Sequence, residues 1–112
     1  MKIVTLTVNP AVDKSTHIER LIPEQKLRCE SPRFDAGGGG INVSKGIKRL
    51  GGSSTAIFTS GGPSGQVLQD LLQQEQINTQ VIVTEAWTRE NFIVAETSTN
   101  AQYRFGMPGA AL

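Results

Sequence analysis

A chain of 112 residues with 38% hydrophobic residues and 12 glycines has the size and make-up of one packed globular domain, not of a disordered segment. Eleven basic residues against ten acidic ones leave a formal charge of +1 without any block of like charge, so neither nucleic acid nor an acidic membrane is an expected partner and a small molecule is. The single cysteine, Cys29, has no internal partner, Met1-Lys2 runs into an apolar segment without a signal-peptide pattern, and no apolar stretch is long enough to cross a bilayer, so the cytoplasm is the expected compartment.

Lys2 to Val8 is a short β-branched run closed by Asn9-Pro10, the pattern of a buried strand ending in a turn, and Asp13 follows that turn. From Lys14 to Leu21 the residues alternate, with Thr16, Ile18 and Arg20 on one face. A second run, Lys26 to Ser31, follows the turn at Pro23, and the two together predict a half-buried antiparallel hairpin. Gly37 to Gly40 then empty into a helical pattern in which Ile41, Val43, Ile47 and Leu50 are the apolar set. Lys45, Lys48 and Arg49 supply its polar faces and basic last turn, and Gly51-Gly52 stops it. Ser54 to Thr59 predicts another buried strand, Ser60-Gly61-Gly62-Pro63 a turn, and Ser64 to Gln76 a helix that turns Val67, Leu68, Leu71 and Leu72 inward. Strand, helix, strand, helix is the order of an α/β fold with parallel strands. After Thr79 three short runs, Gln80 to Thr84, Asn91 to Thr97 and Gln102 to Gly106, predict more antiparallel sheet. The chain then ends on Gly109-Ala110-Ala111-Leu112, after only two predicted core strands beside their helices. So small a parallel sheet has little to bury against, and the chain is expected to be the front part of a longer protein.

The glycine run is the strongest chemical signal. Glycines let backbone N–H groups approach a ligand closely, and a helix N-terminus just behind them suits a small polar or anionic group, although a flexible hinge uses the same residues. A P-loop is excluded, because Lys45 precedes Gly46 and the spacing does not fit. A dinucleotide fingerprint is excluded too, since Gly37 and Gly39 would place its third glycine at Asn42. What remains is a glycine loop with an Asn at the helix start, whose amide both donates to and accepts from hydroxyls. Asn42-Val43-Ser44 also has the spacing of a glycosylation sequon, read here as chance because no secretory signal accompanies it.

The stretch Gly38 to Ser44, with Gly51 and Gly61 at their later positions, resembles the N-terminal signature of the ribokinase-like carbohydrate kinases. Thr7-Val8-Asn9-Pro10-Ala11-Val12-Asp13 and Tyr103-Arg104-Phe105-Gly106-Met107-Pro108-Gly109 are similar to the phosphosugar branch of that family, and the likeness runs over the whole chain. That branch holds 1-phosphofructokinases, tagatose-6-phosphate kinases and the minor bacterial 6-phosphofructokinases. Gly39 stands where the first two groups usually carry lysine. This departure, with Lys26-Leu27-Arg28-Cys29 and Trp87-Thr88-Arg89, is most similar to the third group and makes fructose 6-phosphate the expected substrate, with a 1-phosphofructokinase or tagatose-6-phosphate kinase as the alternative.

The resemblance implies a three-layer α/β core, partial here, with a small antiparallel β lid over about 14–31 and 80–106 that doubles as a clasp between two copies. It implies that residues 1–112 are the N-terminal part of one kinase domain that, with ATP and Mg²⁺, phosphorylates the 1-hydroxyl of fructose 6-phosphate. In that family a Gly-Ala-Gly-Asp motif, whose Asp is the base, the ATP site and a magnesium-associated acidic motif all lie downstream, and no such motif occurs here. The chain alone is therefore expected to hold no cofactor and to lack kinase activity. A non-catalytic sugar-phosphate binder or dimerising fragment is the alternative from another class. A nicotinamide-nucleotide domain is disfavoured by the failed fingerprint.

The resemblance also assigns roles. Asp13 would accept hydrogen bonds from two sugar hydroxyls, against the plainer reading of a turn-capping Asp. Gly38 and Gly39 would line the sugar with N–H groups and Asn42 would bond a hydroxyl, against a merely flexible helix entry. Arg89, Arg104 and Lys26 would hold the substrate phosphate, Lys26 in a neighbouring copy's site if the lid is a clasp, against ordinary solvated positions. His17 and Cys29 read as plain strand residues, and Trp87 and Tyr103 as lid-packing aromatics.

Overall fold

The computed structural model describes residues 2–109, so the expectations for Ala110, Ala111 and Leu112 lie outside the described residues. In chain order the elements are β1 (Val4–Thr7), β2 (Ala11–Ile18), β3 (Arg33–Gly37), α1 (Gly39–Arg49), β4 (Thr55–Ser60), α2 (Gly62–Gln74), β5 (Asn78–Val83), β6 (Arg89–Glu96) and β7 (Ala101–Phe105). They build two sheets. A three-stranded parallel sheet has the order β1-β4-β5, and a four-stranded sheet has the order β3-β2-β6-β7.

In the parallel sheet the residues alternate in burial. Thr5, Thr7, Ala56, Phe58 and Ser60 point into the interior, where Ile41 of α1 and Leu68 and Leu72 of α2 meet them, while Val4, Leu6 and Val8 stand exposed on the other face. Both helices pack on the same face, as right-handed crossovers between successive parallel strands require. Polar ties fix α1 on β1. The Ile41 amide donates to Thr7 Oγ1 at 3.0 Å, filling an orphan donor of the first turn, and the buried hydroxyls of Thr5 and Ser54 lie 2.7 and 2.8 Å from that of Ser44. Pro63 sits in the first turn of α2, where its missing N–H costs nothing, and the Ser64 hydroxyl donates to the Thr88 carbonyl at 2.6 Å.

Three expectations are corrected. The antiparallel partner of β2 is β3, in register Ala11↔Gly37 to Ser15↔Arg33, and not the run Lys26 to Ser31. That run carries charge and is exposed except for the half-buried Leu27, whereas Ala36 and Gly37 are buried and anchor β3 in the core. Cys29 accordingly lies in an exposed loop and not in a strand. The run Gln80 to Thr84, expected in the lid, belongs to β5, the third core strand, parallel to β4 in register Thr55↔Asn78 to Ser60↔Val83. Ile77 is buried directly after α2, so the chain turns at once beside β4 and completes a strand-helix-strand unit. The lid, finally, is mixed and not antiparallel: β2 and β6 pair in parallel from Ala11↔Arg89 to Ile18↔Glu96. Each follows the C-terminal end of a core strand, β2 after β1 and β6 after β5, so both run the same way.

Helix faces shift as well. Lys45, read as part of a polar face, is buried; its Nζ donates to the Ala36 carbonyl at 2.6 Å and lies 3.6 Å from Glu75. Val43, Leu50 and Val67, read as apolar contacts, are exposed.

Candidate functional site

Directly paired strand residues share a face, so the register alone decides which side chains of the lid meet. Asp13 pairs with Asp35 on one side and with Asn91 on the other, Arg89 pairs with Ala11, and Arg104 pairs with Ile93. Asp13, Arg89, Asn91 and Arg104 therefore stand on one face. The opposite face carries Lys14, Phe34, Phe92, Val94, Tyr103 and Phe105.

Asp13 is half-buried, with one oxygen hydrogen-bonded and the other against Gly37. The Asn91 side-chain amide donates to Oδ1 at 3.2 Å, and Oδ2 lies so close to Gly37 that a Cβ there would come within 2.5 Å of it. Gly37 in turn pairs with Ala11, so the start of the glycine run is fixed beside the carboxylate. The next glycines differ in what they do. Gly38 has φ +130, and a Cβ on it would meet the Thr7 methyl at 2.6 Å; a Cβ on Gly40 would meet the Leu6 carbonyl oxygen at 2.6 Å. At these two positions glycine is required by close packing on the end of β1. Nothing lies within 4 Å of a Cβ on Gly39, so the lysine that the resemblance places there in other groups would project into open space. Asn42 is exposed in the first turn of α1, its backbone N–H donating to the Gly38 carbonyl at 2.9 Å.

The three candidate phosphate residues are not equivalent. Arg89 sits at the start of β6 with Nη1 donating to the Met107 carbonyl at 3.1 Å and Nη2 to the Asn9 carbonyl at 3.2 Å, while its buried Nε has no partner among the described residues. Its fork thus ties the turn after β1 to the segment after β7 and leaves some donors unspent. Arg104 is exposed, with Nε donating to Gln102 at 3.1 Å. Lys26 lies in the exposed loop between β2 and β3, outside the hydrogen bonds that join Asp13, Asn91 and Arg89. Trp87, read as a lid aromatic, instead lies beside Gly62, at the start of α2, and is 68% exposed.

Two members of the arrangement were not foreseen: Asn91, and Gly37 as the neighbour of Asp13. Alternation along β6 puts Asn91 on the face of Arg89, but only the parallel register, which sequence does not carry, sets it against Asp13. Among the described residues no group of three or more His, Cys, Asp or Glu is placed to hold a metal ion. No step below runs through a metal ion.

A family model described as pfkB family carbohydrate kinase matches residues 3–111. The chain belongs to that family. Over all of its residues it is 47% identical to the ATP-dependent 6-phosphofructokinase isozyme 2 of Escherichia coli strain K12, of which it covers 36%. Over 99% of its length it is 48% identical to the protein of the same name from Mycobacterium tuberculosis strain CDC 1551 / Oshkosh, covering 33% of it. The crystal structure of the Escherichia coli phosphofructokinase-2 in complex with fructose-6-phosphate superposes with a TM-score of 0.93 at 48% identity, over 99% of this chain and 37% of that one. This pfkB chain thus spans about a third of the length of the curated relatives it matches. Its α/β fold, with a parallel core sheet and a second sheet beside it, is that of the ribokinase-like phosphofructokinases.

Proposed function

We propose that this chain is the sugar-phosphate-binding front part of an ATP-dependent 6-phosphofructokinase that converts fructose 6-phosphate to fructose 1,6-bisphosphate. The observation that carries the reading is the Asp13 carboxylate, held by Asn91 against the start of the glycine run on the polar face of the lid. A fixed carboxylate beside N–H groups accepts from sugar hydroxyls while its neighbours donate to them. In this reading Asp13, Gly38, Gly39 and Asn42 hold the sugar. The unspent donors of Arg89, with Arg104 and Lys26, hold the phosphate. The likeness to a relative solved with fructose-6-phosphate supports the substrate.

The rest of the same domain, comprising the ATP site, its Mg²⁺ and the catalytic base, would cover the exposed face of Val4, Leu6 and Val8, because an all-parallel sheet is stable only with both faces covered. The opposite, apolar face of the lid supports a clasp between two copies: a groove of about 540 Å³ is lined there by Phe92, Val94, Phe105 and Met107. The cytoplasm is the compartment that suits the reading, and no described helix is long and apolar enough to cross a membrane.

Calorimetry with fructose 6-phosphate tests the site. Asp13→Ala is expected to weaken binding at least tenfold, the worth of a hydrogen bond to a charged group, and undiminished binding would overturn the assignment. The 112-residue chain alone is expected to phosphorylate nothing, and fructose 1,6-bisphosphate formed above a no-protein control would refute that.

A further inference from the structure

We infer that Asn91 is a positioning residue for the sugar, setting the rotamer of Asp13. The inference rests on the substrate reading above and concerns a residue to which neither the resemblance nor that reading gives a role.

The orientation of the Asn91 amide is fixed by its second partner. The Met107 N–H reaches the Asn91 side chain at 2.9 Å, and since a backbone amide only donates, the atom it meets is the carbonyl oxygen Oδ1. That leaves Nδ2 facing Asp13 Oδ1 at 3.2 Å as a donor. Met107 is itself held, because its carbonyl accepts from Arg89 Nη1 at 3.1 Å. Two side chains of β6 therefore grip the backbone of one residue after β7, and that grip aims the amide at the carboxylate. With Oδ1 so engaged, Oδ2 is the oxygen turned to the glycine run. Without Asn91 the Asp13 side chain regains rotamer freedom, and a sugar hydroxyl must then order it on binding.

A residue that only pins the segment after β7 would act through Met107 alone, and a pH profile separates the two roles. Asn91→Asp keeps the oxygen that accepts from Met107 but replaces the donor to Asp13 by a second carboxylate. Fructose 6-phosphate binding is titrated calorimetrically, without nucleotide, between about pH 5.5 and 8, on the complete gene product that contains this chain. The proteins compared are the parent, Asn91→Asp, Asn91→Ala and Asp13→Ala. Asn91→Ala is expected to weaken binding about tenfold at every pH. Asn91→Asp should weaken it at least tenfold at pH 8, where the new carboxylate faces Asp13 from the side opposite Asp35, itself paired with Arg33 at 3.1 Å, and should regain affinity as the pH falls, when one shared proton restores a donor to Asp13. The parent protein should show no such gain. Parent-like affinity and a parallel profile in Asn91→Asp would overturn the positioning role, as would loss of the parent circular-dichroism spectrum in both variants at position 91. A parent protein that does not bind, or an Asp13→Ala variant that binds like it, would fell the substrate reading and this role with it. Sensitivity to Asp13→Ala without sensitivity at position 91 would fell this role alone.

Discussion

The two sheets solve opposite problems with strands of similar length. The core sheet hides one face of its central strand: Ala56 and Phe58 on β4 are fully enclosed between β1, β5 and the two helices. In the lid the buried residues are those nearest the core, Ala11 and Val12 on β2 and Ala36 and Gly37 on β3, with Glu96 at the far end, and the rest is half or wholly exposed. A sheet that buries little has faces free for other purposes. One face of the lid carries Asp13, Asn91 and Arg104, and the other carries Phe92, Phe105 and Tyr103. Burial is concentrated in the core and the proposed recognition residues in the lid, and the two meet at Gly37, which is buried and lies beside the Asp13 carboxylate.

This division is most directly broken by truncating one aromatic in each sheet. Phe58→Ala empties a fully enclosed site and is expected to cost about 3–5 kcal/mol, read as a lower urea midpoint. Phe105→Ala, at a position 51% exposed, is expected to change stability by less than about 1 kcal/mol and, under the clasp proposed above, to raise the concentration at which two copies associate. Equal losses at both positions would mean that the lid shares in the stability of the core. Within the glycine run the same division takes a finer form. Gly40→Ala drives a methyl against the Leu6 carbonyl, which is rigid backbone, and is expected to cost about 1–3 kcal/mol. Gly39→Ala meets nothing and is expected to leave stability unchanged or raise it by up to about 1 kcal/mol, so that any loss of fructose 6-phosphate binding there comes from the approach of the ligand.

What was legible in the sequence follows the range of each interaction. The buried strand beginning near Thr55, the helix after the glycines and the helix after Pro63 announce themselves through local apolar spacing and through glycine and proline, and the structure has all three. Direction and register were not legible, since they depend on where a strand lies and not on its own residues. The short apolar run in Gln80 to Thr84 fits an antiparallel lid strand as well as a parallel edge strand of the core, and the position of Ile77 beside β4 decides for the core. The Asp13–Asn91 bond joins residues 78 apart along the chain, a separation at which no local pattern speaks. Lys45 shows the same limit from the other side: a lysine among Lys48 and Arg49 reads as solvated until the Ala36 carbonyl and Glu75 are found at its ammonium. Asp13 is assigned to the sugar by the resemblance, since its place after the Asn9-Pro10 turn reads equally as turn capping, and nothing local points to its partner Asn91.

The smallest expected effect concerns the far end of the lid, where Glu96 closes it. The Thr99 hydroxyl donates to one carboxylate oxygen at 2.6 Å and the Leu21 backbone N–H to the other at 2.7 Å, which joins the loop after β2 to the turn between β6 and β7. These two hydrogen bonds favour the ionised form and, with the Arg20 charge adding to them, outweigh the opposing effect of burial, so the carboxyl titrates below its ordinary value of 4.5. A depressed pKa in the folded state means that the unfolded chain binds the proton more readily. The contribution of Glu96 to stability is therefore fully present above the ordinary value and is lost as the pH falls from there through the lower folded one. Urea titrations of the parent protein and of Glu96→Gln should differ most near neutral pH and converge in acid. Because the residue lies at the edge of the lid and the core strands do not lean on it, amide exchange in acid should speed up at Leu21 and in the turn after β6 before it does in β4. Simultaneous exchange in β4 and the lid would show instead that the two sheets open as one unit, and that the separation of scaffold from recognition surface does not extend to their stability.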